Sequence, residues 1–414
     1  MKKIMAIAIA SAFATPVFAG VAVSGSVSAR VGSDLRGGDF VEGYKNFNSV
    51  DGNYVLFISG TTNVGKGYSA GFTCATVSTT VDGAAAAYDD VSLPVKHGWA
   101  QFFSGQENFA GNPVKGGFAS YGNNLGDSNG PFCNDEVKGY LTTPYGTIAV
   151  GNIINPLRNL YDATTVDPVY GNERVYYNVT DFRGNALRYG HSIGDFSFDL
   201  QVNLNSSSQQ KEGDPTGTAV YTGFAAYDFG GGTMLGAGFG LGNGGTPGNK
   251  YVDPTSALQF KNAFGVTGKT GFGGLGLAYT FMTAANESKG PTDSAGTYFK
   301  NTDNMVKLTY NLGSWNLVGI GSFETSKFDF TKLSAWGAGY TWAAGDDIGQ
   351  GFTKLNIDRT RLDLWAIYSL GGGVQPYARV DYIQKKYTAE DGTTAGASVK
   401  TSSTKLETGF MVSF

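Results

Sequence analysis

Cysteine, histidine, proline and charge are all scarce in this chain of 414 residues, and each scarcity removes a class of reading. Two cysteines and two histidines are too few for a clustered metal centre or a disulfide-dense scaffold, so no metal is expected. Neither His97 nor His191 has a serine and a carboxylate arranged to activate a nucleophile, so no enzyme is expected. No dinucleotide fingerprint, P-loop or calcium-loop run occurs in a context that would hold a ligand, and no cofactor is expected. Charged residues make up only 15%, and a net charge of −4 gives a nucleic acid nothing to bind. Only 12 prolines speak against disorder or a collagen-like chain. Beyond the amino terminus, no run approaches the roughly 18 apolar residues that a membrane-crossing helix needs.

What the chain does have is glycine, 62 residues of it, aromatic residues at 14%, and long stretches of alternation. From 21 to 31 the odd positions carry valine, alanine or glycine, while Ser24, Ser26, Ser28 and Arg30 fill even ones. From 196 to 204, Phe196, Phe198, Leu200, Val202 and Leu204 oppose Ser197, Asp199, Gln201 and Asn203. The pattern returns at 306–312, 378–382 and 402–414, where it runs to the terminal Phe414. Period-two alternation with charges on one face and large apolar groups on the other is the pattern of a strand between lipid and water. The basic start at Lys2 and Lys3, an apolar core over 4–14 and small residues before Gly20 predict a secretory signal over 1–19. An exported chain that crosses a membrane without helices must close its sheet, because lipid satisfies no strand edge. The expected fold is therefore all-β: one antiparallel transmembrane barrel over 20–414, in the outer membrane of a Gram-negative-type cell. A secreted sandwich or fibrous surface protein is the competing reading.

Turn signals bound the count. Short turns are expected at 63–67, 144–146, 194–195, 230–232, 268–273, 313–314 and 371–373, with longer polar stretches between them. About sixteen strands of roughly ten residues fit this length. The segment 326–359 leaves the count open, since it holds either a long loop or a further strand pair. Cys74 and Cys133 bracket the long stretch over 79–135, and an exported chain permits a disulfide between them. Trp315, Trp365, Tyr68, Tyr140, Tyr189, Tyr310, Tyr368 and Phe414 are placed in interfacial girdles.

Three stretches resemble one family. Residues 59–70 (SGTTNVGKGYSA) are similar to the second-to-third strand hairpin of the general bacterial porins, and VKGY at 137–140 with YGTIAVG at 145–151 to their fourth-to-fifth hairpin. NALRY at 185–189 resembles their strand after the constriction loop, and Phe414 their terminal assembly signal. The resemblance implies a homotrimer of 16-stranded barrels in outer-membrane lipid, inserted by the barrel assembly machinery and passing small hydrophilic solutes. It also implies a third extracellular loop, here about 154–184, folded into the lumen. That loop carries Asp162, Asp167, Glu173 and Asp181, which would face basic wall residues across the waist. A tube of this strand count is wide, and only something folded inside it narrows it. Arg188 matches a wall arginine, whereas Ser26, Val55 and Asn152 stand where relatives carry Lys or Arg. Arg30, Lys261, Lys307, Arg361 and Arg379 are inward by alternation; each either meets solute or pairs with Asp199, Asp363, Asp381 or Glu407. The thinned basic wall predicts weak cation preference; a substrate-selective channel for sugars or other nutrients is the alternative.

Overall fold

The structure is a computed structural model, and it describes residues 21–38, 47–80, 136–164, 183–204, 219–242, 258–288, 296–329, 354–390 and 398–414. The expected signal, 1–19, lies outside the described residues. Sixteen strands follow in order: β1 (Val21–Gly38), β2 (Phe47–Gly65), β3 (Tyr68–Thr80), β4 (Glu136–Thr143), β5 (Gly146–Ile154), β6 (Arg183–Ile193), β7 (Phe196–Leu204) and β8 (Ala219–Gly230). The second half is β9 (Thr233–Gly242), β10 (Leu258–Phe272), β11 (Leu275–Ser288), β12 (Gly296–Leu312), β13 (Trp315–Asp329), β14 (Lys354–Tyr368), β15 (Val374–Ala389) and β16 (Ser398–Ser413). Between β5 and β6 lie a 3-10 turn, Pro156–Arg158, and one turn of helix, α1 (Asn159–Asp162).

Each strand pairs antiparallel with its sequence neighbours, and β1 pairs with β16, so the sheet closes on itself. Closure leaves no strand edge unsatisfied in lipid. The seam is fixed by its last residue: Gly25 and Phe414 exchange backbone hydrogen bonds of 3.0 Å in both directions. Strands β13 and β14 are directly paired from Trp315 opposite Tyr368 to Asp329 opposite Lys354. That pairing settles the strand count at sixteen, because no further pair stands in the wall between them.

The turns fall where glycine permits them, with one shift. β10 continues through Gly268 to Phe272, so its turn is Gly273 and Gly274 rather than 268–273. Gly273 adopts φ 58° and Gly274 φ 87°, left-handed values that a side chain disfavours, whereas Gly268 and Gly271 stay extended. Glycine content marked the region, and backbone sign chose the residues.

Alternation sorts the side chains. Leu275, Leu277 and Tyr279 of β11 are outward and exposed, while Ala278, Thr280 and Met282 are inward and buried. The same division holds along β14, with Leu362 and Leu364 outward and Arg361 and Asp363 inward. The outer surface is thus a continuous apolar belt, which lipid accommodates and water does not. Near the short turns the belt is aromatic: Trp315 lies 4.8 Å from Tyr368, and Tyr227 4.8 Å from Phe229.

Two girdle assignments fail. Trp365 shares the inward parity of Asp363, is only 3% exposed, and lies beneath the Arg379 guanidinium, 4.4 Å from its ring centre. Tyr140 alternates with outward Val137 and Leu141, so it points inward, and its hydroxyl is 2.6 Å from Thr61 Oγ1. Strand-end position suggested a girdle in both cases, and parity overrules it.

Candidate functional site

The inner face has two unlike regions. Across β14, β15, β16 and β1 it is a ladder of paired charge. Arg361 donates to both oxygens of Asp381 at 2.8 and 2.7 Å, and Arg379 to both oxygens of Asp363 at 2.8 and 3.0 Å. Arg379 also reaches Asp381 at 3.2 Å, which joins the two pairs. Glu407 extends the ladder to the seam: Arg30 Nη1 lies 3.5 Å from its Oε2 and Lys405 Nζ 3.4 Å, while Tyr377 donates to Oε1 at 3.1 Å. The register explains the order, since Asp363 faces Asp381 across one strand pair and Arg379 faces Glu407 across the next. Bidentate arginine pairs of this kind are geometrically specific and costly to break.

The four arginines expected on the wall therefore have carboxylate company. Arg30, Arg361 and Arg379 belong to the ladder. Arg188 grips Asp199 on the neighbouring strand, with Nε to Oδ1 at 3.0 Å and Nη2 to Oδ2 at 2.7 Å. Lys307 is inward, with Ala278 and Ile320 as cross-strand partners. Among the positions thought to have lost a basic residue, Ser26 and Val55 face each other across β1 and β2. Asn152 pairs with outward Val137, so its parity is that of the outer face and it is not a lumen position.

Across β8 to β11 the inner wall is rich in small residues, Thr222, Gly236, Gly238, Ala263, Gly265, Thr267, Ala278 and Thr280, with Phe224 and Met282 as large exceptions. Onto it the chain after β5 is laid. Asn155 caps the turn, its side chain accepting from Leu157 N at 2.9 Å, and Pro156 presets the first turn residue. The i, i+3, i+4 spacing of Leu157, Leu160 and Tyr161 then puts all three on one face, and each is fully buried. A methyl group at Gly238 would stand 3.0 Å from Leu157 Cδ2 and 3.2 Å from Leu160 Cδ1. One at Gly265 would stand 2.6 Å from Leu160 Cδ1, so the missing side chains are the space the leucines occupy. Polar ties complete the anchor: Thr280 Oγ1 donates to Leu160 O at 2.7 Å, Thr164 to Thr280 at 3.1 Å, and Tyr161 to Asp303 at 2.9 Å. Sequence reasoning missed this face because it weighed the loop by its charges; the leucine and tyrosine spacing was the signal.

Asp162 sits on the opposite side of α1, about half exposed, with Arg158 Nε 3.8 Å from its Oδ1. Asp167, Glu173 and Asp181 lie outside the described residues. Cys74 is disulfide-bonded, and Cys133 lies outside the described residues, as does His97. His191 is on the outer face beside Tyr189, their ring centres 6.5 Å apart.

No family model matches the chain, and no curated protein sequence does. Solved structures match over nearly its whole length. An anion-selective porin from Comamonas acidovorans is 15% identical with a TM-score of 0.56, the match covering 95% of this chain and 99% of that one. OmpF of Salmonella typhi, in complex with daunomycin, is 14% identical with a TM-score of 0.53, covering 95% and 97%. OmpT, an outer membrane protein of Vibrio cholerae in its trimer form, is 11% identical with a TM-score of 0.53, covering 95% and 100%. Identities this low speak to architecture, and the architecture is unambiguous: this chain has the 16-stranded barrel fold of the outer-membrane porins.

Proposed function

We propose that the chain forms a water-filled channel for passive diffusion of small hydrophilic solutes and ions across the outer membrane, working as a homotrimer. The observation that carries this reading is the lateral division of the barrel: an apolar outer belt, a polar inner wall, and a loop segment laid against that wall from inside. The loop over 155–182 is read as the constriction, with Asp162, Asp167, Glu173 and Asp181 bordering the path. Weak cation preference is part of the proposal. Removing Lys2 and Lys3 with the signal takes the charge from −4 to −6, and wall arginines already held by wall carboxylates oppose the loop acids weakly. Trp365 and Tyr377 are buried beside Arg379 and Glu407, which disfavours a bare stacking track for sugars on that wall. Purified protein in a planar bilayer should give stepwise, ohmic conductance in multiples of three; a folded barrel without conductance would overturn the reading.

Assembly enters the same proposal. Phe414 is read as the signal for the barrel assembly machinery, and its two bonds to Gly25 give it a structural share in closure. Its deletion should lower the amount of heat-modifiable barrel without lowering export; equal amounts would refute the assignment. Cys74 is assigned to Cys133 as partner, so folded protein should take up an alkylating label only after reduction.

A further inference from the structure

One cluster on the inner wall has no part in the ladder and touches the seated loop only through the Tyr161 hydroxyl on Asp303. It lies where β12, β13 and β14 meet. Asp303 of β12 and Glu324 of β13 are direct cross-strand partners, both inward, 1% and 9% exposed. Like charges directly opposite each other destabilise a sheet, and burial sharpens the cost. Each carboxylate is satisfied on one oxygen only. Tyr161 donates to Asp303 Oδ2 at 2.9 Å; Asn301 Nδ2 and Ser326 Oγ donate to Glu324 Oε1 at 2.6 and 3.0 Å.

The other two oxygens, Asp303 Oδ1 and Glu324 Oε2, are buried and accept no hydrogen bond. Arg359 is the nearby cation, but its Nη1 is 3.8 Å from Glu324 Oε2, beyond hydrogen-bond reach, and one guanidinium does not balance two carboxylates. A third, independent group points the same way. The Ser322 hydroxyl, 1% exposed and without a hydrogen-bond partner, is the next inward residue below Glu324 and stands opposite Met305, the inward neighbour of Asp303. Three bare oxygens, two of them on carboxyl groups, therefore share one buried patch of wall.

Hard divalent cations take such oxygens, with water completing the shell. We propose that Asp303, Glu324 and Ser322 form a binding site for a divalent cation of the calcium class, which through Tyr161 also fastens the inward loop segment to the wall. The site does not depend on what the lumen conducts. It would explain both the opposed carboxylates and their idle oxygens.

The test uses the full, folded protein in detergent, freed of lipopolysaccharide and stripped with a chelator. Calcium alone is titrated by calorimetry, and terbium is followed by emission excited through tyrosine, since the Tyr161 ring is tied to a proposed ligand. The wild type should show one saturable calcium site per chain beyond the surface background and calcium-displaceable terbium emission. Asp303→Asn and Glu324→Gln should each lose that site while keeping heat-modifiable mobility. Should either fail to fold, Ser322→Ala, which removes only a neutral ligand, should fold and bind calcium more weakly. Wild-type binding unchanged in a folded variant, or no binding beyond background in the wild type, would overturn the proposal. A protonated-carboxyl stretch in calcium-saturated wild type that vanishes in Asp303→Asn would also overturn it, showing a shared proton in the cation's place.

Discussion

Two regions of the inner wall solve the same problem by opposite means. A barrel of sixteen strands is too wide for its own side chains to fill. Across β8 to β11 the wall is mostly glycine, alanine and threonine where the loop lies, and the space is taken by Leu157, Leu160 and Tyr161 of the loop. Across β14 to β1 the wall carries long charged side chains, each arginine neutralised by a carboxylate on an adjacent strand. The first region is a seat and the second a facing. On the proposed function, a path remains between them whose width depends on the loop staying seated and whose charge depends on groups outside the ladder.

The largest effect is expected in the ladder. Arg379→Ala leaves Asp363 and Asp381 in a buried setting with one arginine between them, a loss of about 3–5 kcal/mol. The unfolding midpoint of the purified barrel in denaturant should fall accordingly. Replacing Arg379 by Met together with Asp363 by Leu removes both partners of one bidentate pair, and should restore most of that loss. If the double variant is as unstable as the single one, the ladder's worth lies in packing and not in charge balance.

The fold was legible in the sequence because period-two alternation survives in nearly every strand and glycine marks each short turn. Residues 196–204 read the same way in sequence and structure. The strand count stayed open at 326–359, because 332–342 reads equally as an extended loop arm or as a further strand pair, until direct pairing of β13 with β14 closed it. Trp365 and Tyr140 were misplaced because residue type was weighed above parity; counting from Asp363 or Val137 sends both inward. The ladder was half legible. Alternation put Arg361, Arg379 and Asp381 on one face, but which carboxylate meets which arginine depends on register between strands, and sequence does not state it. The seat was least legible, since glycine in a strand signals close approach without naming what approaches.

A smaller effect is expected from the loop acids. Charges at the mouth are screened over about 8 Å at physiological salt, whereas those at the waist act at short range. Neutralising Asp162, Asp167 and Glu173 together should shift the zero-current potential in a salt gradient toward anions by several millivolts, with trimers intact. The same change at Asp199 should act differently, because it frees Arg188 from its partner. An unmoved potential in the triple variant would place the waist elsewhere and leave the two-sided comparison without functional meaning.

The seat itself is tested most directly by the single-channel conductance of Gly238→Leu in symmetric salt. A side chain there fills the volume of Leu157 and Leu160, whose burial is worth about 1.5–3 kcal/mol each, and pushes the loop off the wall. Gly321→Leu is the control, since Gly321 has open space around its missing side chain. The account predicts altered conductance for Gly238→Leu, with noisier openings, and wild-type conductance for Gly321→Leu, both barrels remaining heat-modifiable. Identical conductance in all three proteins would contradict it, because the loop segment would then have no part in setting the width of the path.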